Sequence, residues 1–132
     1  MDNDIALDEN VARFILAKSY FRPSNKTVKH NAFMPHKGSG TTSIFRIINL
    51  ADFEIYEIGR NFVANMRGKP LLGRADIGVS QIIKQNLSVE LDPTPHPRHA
   101  NICGWTEDSS KNKMIAIELA AEAQLHLVDN SG

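Results

Sequence analysis

The hexapeptide Ser43-Ile44-Phe45-Arg46-Ile47-Ile48, with the segment 50–66 that follows it (LADFEIYEIGRNFVANM), decides the fold class. Apolar side chains stand on both parities of 43–48 and isoleucine dominates, the pattern of an interior strand. Downstream the period changes: Ile55, Ile58, Phe62 and Met66 recur as one face of a helix. Asn49 is the expected N-cap, with Asp52 completing a weak capping box. Gly59 lies on the same apolar face. A glycine inside a helix costs about 1 kcal/mol relative to alanine, so another element is expected to approach that face closely. Arg67-Gly68-Lys69-Pro70 then stops the helix.

Upstream, Val11, Phe14, Ile15 and Lys18 sit at helical spacing behind Asp8, a candidate N-cap, with Glu9 in the first turn. The spacing predicts a helix ending near Ser19, although Arg13-Phe14-Ile15-Leu16 also fits an extended chain. Val28, His30 and Ala32 allow a short strand, and 34–42 is a loop by composition. Beyond the central helix, 71–77 reads as a short strand, Ser80 as the cap of a brief helix, and 87–91 as a half-buried strand by its alternation. Pro93, Pro95 and Pro97 hold the next segment extended, and His99 to Cys103 resumes a strand. Asp108 or Ser110 caps a last helix through about Leu127, with Met114, Ile117, Ala121, Leu125 and Val128 as its core stripe. The order of elements predicts an α+β fold of four to five short strands and two main helices, about 50–66 and 110–127. One domain over 1–132 is expected, with 1–7 and 129–132 frayed.

At 132 residues and 42% apolar composition, the chain is long enough for one core without metal or disulfide staples. No stretch approaches the roughly 18 apolar residues of a membrane span, and the acidic start MDNDIALDEN resembles neither a signal nor a transit peptide. Cys103 has no second cysteine to pair with, so a soluble protein of the reducing cytoplasm, not bound to membranes, is expected.

The 15 basic and 15 acidic residues balance, but their order is uneven. Asp2, Asp4, Asp8 and Glu9 open the chain; then seven bases and no acid occupy 10–51. Clustered cations mark an anion-binding face. Within and beyond this run, Lys29, Lys37, Arg46, Arg74 and Arg98 are the candidate ligand-binding residues. Arg46 shares a strand face with Ile44 and Ile48, so its guanidinium must meet a ligand anion or a carboxylate such as Asp76, Glu90 or Asp92.

Pro95-His96-Pro97-Arg98-His99 packs two imidazoles and a guanidinium into a proline-stiffened connection. Imidazole serves as acid or base near neutral pH and arginine grips oxyanions bidentately. His96 and His99 are therefore the candidate catalytic pair, with Arg46 and Arg98 facing developing charge. The assignment requires Arg46, Arg98 and His99 to converge on one pocket. Gly38-Ser39-Gly40-Thr41-Thr42 lacks P-loop spacing, and Gly73 to Gly78 lacks dinucleotide-fingerprint spacing, so no cofactor is expected. His96, His99 and Cys103 match no compact zinc pattern, so no metal is expected either. These residues describe a small protein that binds a phosphate-bearing ligand, a nucleotide or short nucleic acid, with catalysis left open. The alternatives are a non-catalytic protein docking an acidic partner and a sensor of small anions; a homodimer is compatible with each.

Overall fold

The computed structural model describes residues 5–128. Six strands form one antiparallel sheet in the order β6-β7-β4-β1-β5-β8. They are β1 (Asn10–Ile15), β4 (Thr42–Arg46), β5 (Gly73–Gly78), β6 (Ser88–Leu91), β7 (His99–Cys103) and β8 (Gln124–Leu127). A separate two-stranded ribbon pairs β2 (Phe21–Arg22) with β3 (Thr27–Val28). The helices are α1 (Asp52–Gly59), a π turn over Arg60–Ala64 running into α2 (Asn65–Arg67), α3 (Val79–Lys84) and α4 (Ser109–Glu122).

The architecture is the α+β type expected, with a larger sheet. The two extra strands come from segments expected to be helical. Residues 10–15 pair with β4 on one side and β5 on the other; both faces are buried, which erases the alternation that marks a strand. At the other end, α4 stops at Glu122 and Gln124-Leu125-His126-Leu127 pairs antiparallel with β5. Asp108 caps α4 as expected, its side chain accepting from the N–H groups of Ser110 and Lys111. The helix turns a different face inward, however. Asn112, Ala116, Leu119 and Ala120 are buried, whereas Met114 is 70% and Ile117 46% exposed.

Three local expectations also change. The α1 N-cap is Ala51, not Asn49, and Glu54 at N3 accepts the Ala51 N–H at 2.9 Å. Gly78 precedes α3, so Ser80 lies inside that helix rather than capping it. Around 28–32 the strand is only Thr27–Val28, and a 3-10 turn takes His30–Ala32. The π turn lets the Asn65 N–H reach the Arg60 carbonyl and carries the apolar stripe onto buried Ala64, leaving Met66 exposed. Residues 5–7 are held by backbone bonds, the Ser80 N–H donating to the Leu7 carbonyl at 3.1 Å. The expected fraying at 1–4 and 129–132 falls outside the described residues.

The two sheet faces differ. One carries most of the apolar core, Val11, Ile15, Ile44, Ile77 and Ile102 packing with Ile82 of α3 and Leu119 of α4. On the other, Phe14 and Phe45 pack under Ile55 and Ile58 of α1. Register places Ser43 opposite Asn101, and Ser88 and Glu90 opposite Cys103 and Asn101, on that second face. The second face therefore turns polar toward β6.

Candidate functional site

At the boundary between the aromatic and polar halves of this face, a cleft opens in two adjoining compartments. One, of about 200 Å³, lies under Phe62, Val63 and Met66. The other, about 470 Å³, extends toward Ser39, Thr41 and Asp92. Arg13, Ser43, Arg67 and His99 line both. The π turn and α2 supply the upper lip, so the irregular helix geometry places Phe62 and Arg67 at the cleft.

His99 is buried at the start of β7. Its Nδ1 lies 2.9 Å from the Asp92 carbonyl oxygen. A carbonyl only accepts, so in the neutral ring Nδ1 carries the hydrogen and Nε2 presents its lone pair. Ser43 Oγ stands 2.6 Å from that Nε2 and donates to it. The Asp92 carboxylate is 3.5 Å from Nδ1 and accepts from Asn101 Nδ2 at 3.2 Å. It thus faces the side of the ring that would carry charge after Nε2 takes a proton. The sequence pairs this network across long separations, and only the β4–β7 register brings it together.

Arg13 enters from β1. Its Nε donates to the Ala32 carbonyl at 2.7 Å and its Nη1 to the Ser43 carbonyl at 3.1 Å. The guanidinium carbon lies 5.9 Å from the centre of the Tyr20 ring. Burial pulls the Arg13 pKa below the ordinary arginine value; Tyr20 opposes this and the positive Arg67 adds to it. Among the described residues, no carboxylate comes within 4.0 Å of Arg13 or Arg67. Two cations lining one cleft, neither paired with the Asp92 carboxylate on its far side, favour an anion beside them.

The candidates read from sequence are distributed more widely. Arg46, Arg98 and His99 do not converge. Arg46 forms a bidentate pair with Glu9, 2.7 and 2.8 Å, rather than with Asp76, Glu90 or Asp92. Glu9 is buried, and desolvation raises its pKa, but the Arg46 hydrogen bond and charge and the Ala6 N–H bring it below the ordinary glutamate value. Arg74 is buried against Asp76 and Asp52, with its guanidinium over Tyr56. Arg98 donates through Nη1 to the Ile48 carbonyl at 2.6 Å. Lys29 is half-buried beside the ribbon and Lys37 is exposed in the 35–41 loop.

His96 occupies a different pocket, with Arg98, Glu54 and Glu57. Its ring packs edge-on against Phe62 at 4.7 Å, and its Nδ1 accepts the Arg98 N–H at 3.0 Å. Burial and then Arg98 lower its pKa. Phe45 packs edge-on against both imidazoles, 6.2 Å from His96 and 5.1 Å from His99. The two histidines thus line different pockets, His96 the one with Arg98 and His99 the cleft. Among the described residues, no cluster of three histidine, cysteine or carboxylate side chains is arranged to hold a metal. Cys103 is half-buried, its thiol pKa pushed up to about 11 by burial and by Glu90. The residues that sequence reasoning passed over are Arg13, Ser43 and Arg67. The acid-free run contained Arg13, and Ser43 was visible as the hydroxyl that opens the isoleucine-rich run 43–48.

No helix among the described residues is long and apolar enough to cross a membrane. No family model, curated protein or solved structure matches the chain.

Proposed function

We propose that this protein binds a phosphate-bearing small molecule, a nucleotide or the end of a short nucleic acid, in the Arg13–Arg67 cleft, with His99 as its general base. The observation that carries this reading is that Arg13 and Arg67 line both compartments together with Ser43 and His99, neither guanidinium having a carboxylate partner among the described residues. Guanidinium groups grip phosphate oxygens bidentately, and an imidazole nitrogen presenting its lone pair beside them can act as a general base. The hydroxyls of Ser39 and Thr41 at the rim add donors. Relative to the sequence expectation, the ligand class is unchanged, but the residues are Arg13, Arg67, Ser43 and His99.

Calorimetric titration with pyrophosphate, a nucleoside diphosphate and a short oligonucleotide at low salt tests the reading. Saturable binding that weakens with salt is expected, because each phosphate contact releases counterions. Absence of saturable binding by all three overturns it.

The alternative, docking of an acidic partner or a second copy, draws on Met114 and Ile117 of α4, exposed on the sheet side away from the cleft. Light scattering that shows a stable dimer, lost in Met114→Glu, would favour it.

A further inference from the structure

We infer that Ser43 is a covalent nucleophile, which takes a phosphoryl group from an ester bound in the cleft and passes it to water. The inference rests on the proposed anion site and goes beyond it by assigning the reacting atom and the reaction class. Four observations converge on Ser43. Its Oγ lies 2.6 Å from His99 Nε2. The Asp92 carbonyl fixes the neutral ring in the tautomer that accepts the hydroxyl proton. Ser43 borders both compartments of the cleft. Its own carbonyl is held by Arg13 Nη1, so the cation that faces an incoming anion also anchors the backbone of the attacking residue.

A hydroxyl used only to satisfy a buried ring nitrogen needs no access to solvent and no neighbouring cations. Here the base, the access and the cations occur together, which is the arrangement that activates a serine. The interior position of β4 adds rigidity, since Ser43 is paired on the β7 side through Asn101. A strand held in this way keeps Oγ close to one position and reduces the ordering needed for attack.

The reaction needs only the side chains of the cleft and water. Ser43 Oγ attacks phosphorus, and its proton passes to His99 Nε2. The new Oγ–P bond forms as the bond from phosphorus to the ester oxygen breaks. That oxygen leaves with the bonding pair and takes the proton back from the imidazolium. The Asp92 carboxylate, 3.5 Å from Nδ1, stabilises the ring while it is charged. Water then attacks phosphorus, giving a proton to Nε2; the P–Oγ bond breaks, and Oγ recovers the pair and a proton as phosphate departs. No redox change occurs. Arg13 and Arg67 face the non-bridging oxygens in both halves.

A fluorophosphonate probe reports the first half-reaction without knowledge of the natural ester, since Oγ–P formation expels fluoride and the serine proton goes to His99. The intact protein is incubated with the probe, and the adduct is located by fragmenting the tryptic peptide 38–46, which also contains Ser39, Thr41 and Thr42. The expected result is one adduct on Ser43, absent in Ser43→Ala, and formed at least about 100-fold more slowly in His99→Gln. Melting curves of both variants establish that they are folded, and the wild-type peptide map stands even if one is not. No adduct, an adduct on another residue, or an equal rate in folded His99→Gln overturns the nucleophile. If pyrophosphate still binds in the calorimeter, the nucleophile alone has failed; loss of both removes the cleft reading as well.

Discussion

Arg46 Nε stands 2.7 Å from Glu9 Oε1, joining the middle of the sheet to the segment that leads into β1. The Glu9 side chain has no solvent exposure and the Arg46 side chain 17%. Removing one member of such a pair leaves a buried charge uncompensated, which typically costs about 3–5 kcal/mol. Arg46→Met is expected to lower stability by that order in urea unfolding, and Glu9→Gln in the Arg46→Met background to recover part of it. A variant as stable as the wild type would show that Arg46 is not held structurally.

The same pair gives a pH dependence with a definite sign. The folded pKa of Glu9 is below its unfolded value, so its stabilisation is present above about pH 4.3 and lost as pH falls through the folded value. Glu9→Gln removes that component, and its unfolding free energy should fall less steeply with acid than that of the wild type. Parallel acid profiles would contradict the assignment.

Arg67 is exposed, so Arg67→Met is expected to change stability by no more than about 0.5 kcal/mol. Affinity for pyrophosphate should nevertheless drop roughly tenfold or more, since charge-assisted hydrogen bonds contribute about 1.5–3 kcal/mol. Thermal melts and calorimetry on the same sample separate the two effects. Unchanged affinity would place the anion elsewhere.

Gly59 illustrates a backbone approach that the helix pattern required. A Cβ at this position would stand 2.7 Å from Phe14 Cδ1 and Cε1, in a buried aromatic cluster. Alanine gains about 1 kcal/mol of helix propensity, whereas overpacking costs about 1–3 kcal/mol. Gly59→Ala is expected to be destabilising on balance, and Phe14→Leu to relieve the added cost in a double-mutant cycle. Additive single-mutant effects would mean that the two do not press on one another.

Cys103 should resist alkylation at neutral pH. With a thiol pKa of about 11, the thiolate fraction rises about tenfold per pH unit below that value. Iodoacetamide labelling followed by mass spectrometry should show that slope from pH 8 to 10. A rate half-maximal near pH 8.5 and levelling off by pH 10 would indicate an unperturbed thiol.

Much of the scaffold is written in local chemistry. The β-branched, two-sided run at 43–48 marked an interior strand, which forms over Thr42–Arg46 and stops before Ile47; Asp108 capped the last helix, and Gly59 marked the close approach of Phe14. These features need only a residue and its near neighbours. The errors arose where local pattern is degenerate. Val11, Phe14 and Ile15 suit a helix stripe as well as a strand buried on both faces, and Leu125 continues the spacing of α4 after its hydrogen bonding has ended at Glu122.

The cleft follows a different rule. Ser43 and His99 are 56 residues apart and Arg13 and Ser43 are 30 apart, so their meeting depends on β7, β4 and β1 being neighbours in that order. Arg46 was correctly required to find a partner, because an unpaired buried charge is too costly, but strand order selected Glu9. Local chemistry set which side chains needed compensation. The sheet decided which partner each strand residue received, a carboxylate for Arg46 and backbone carbonyls for Arg13, because antiparallel register aligns residues that no short-range pattern relates.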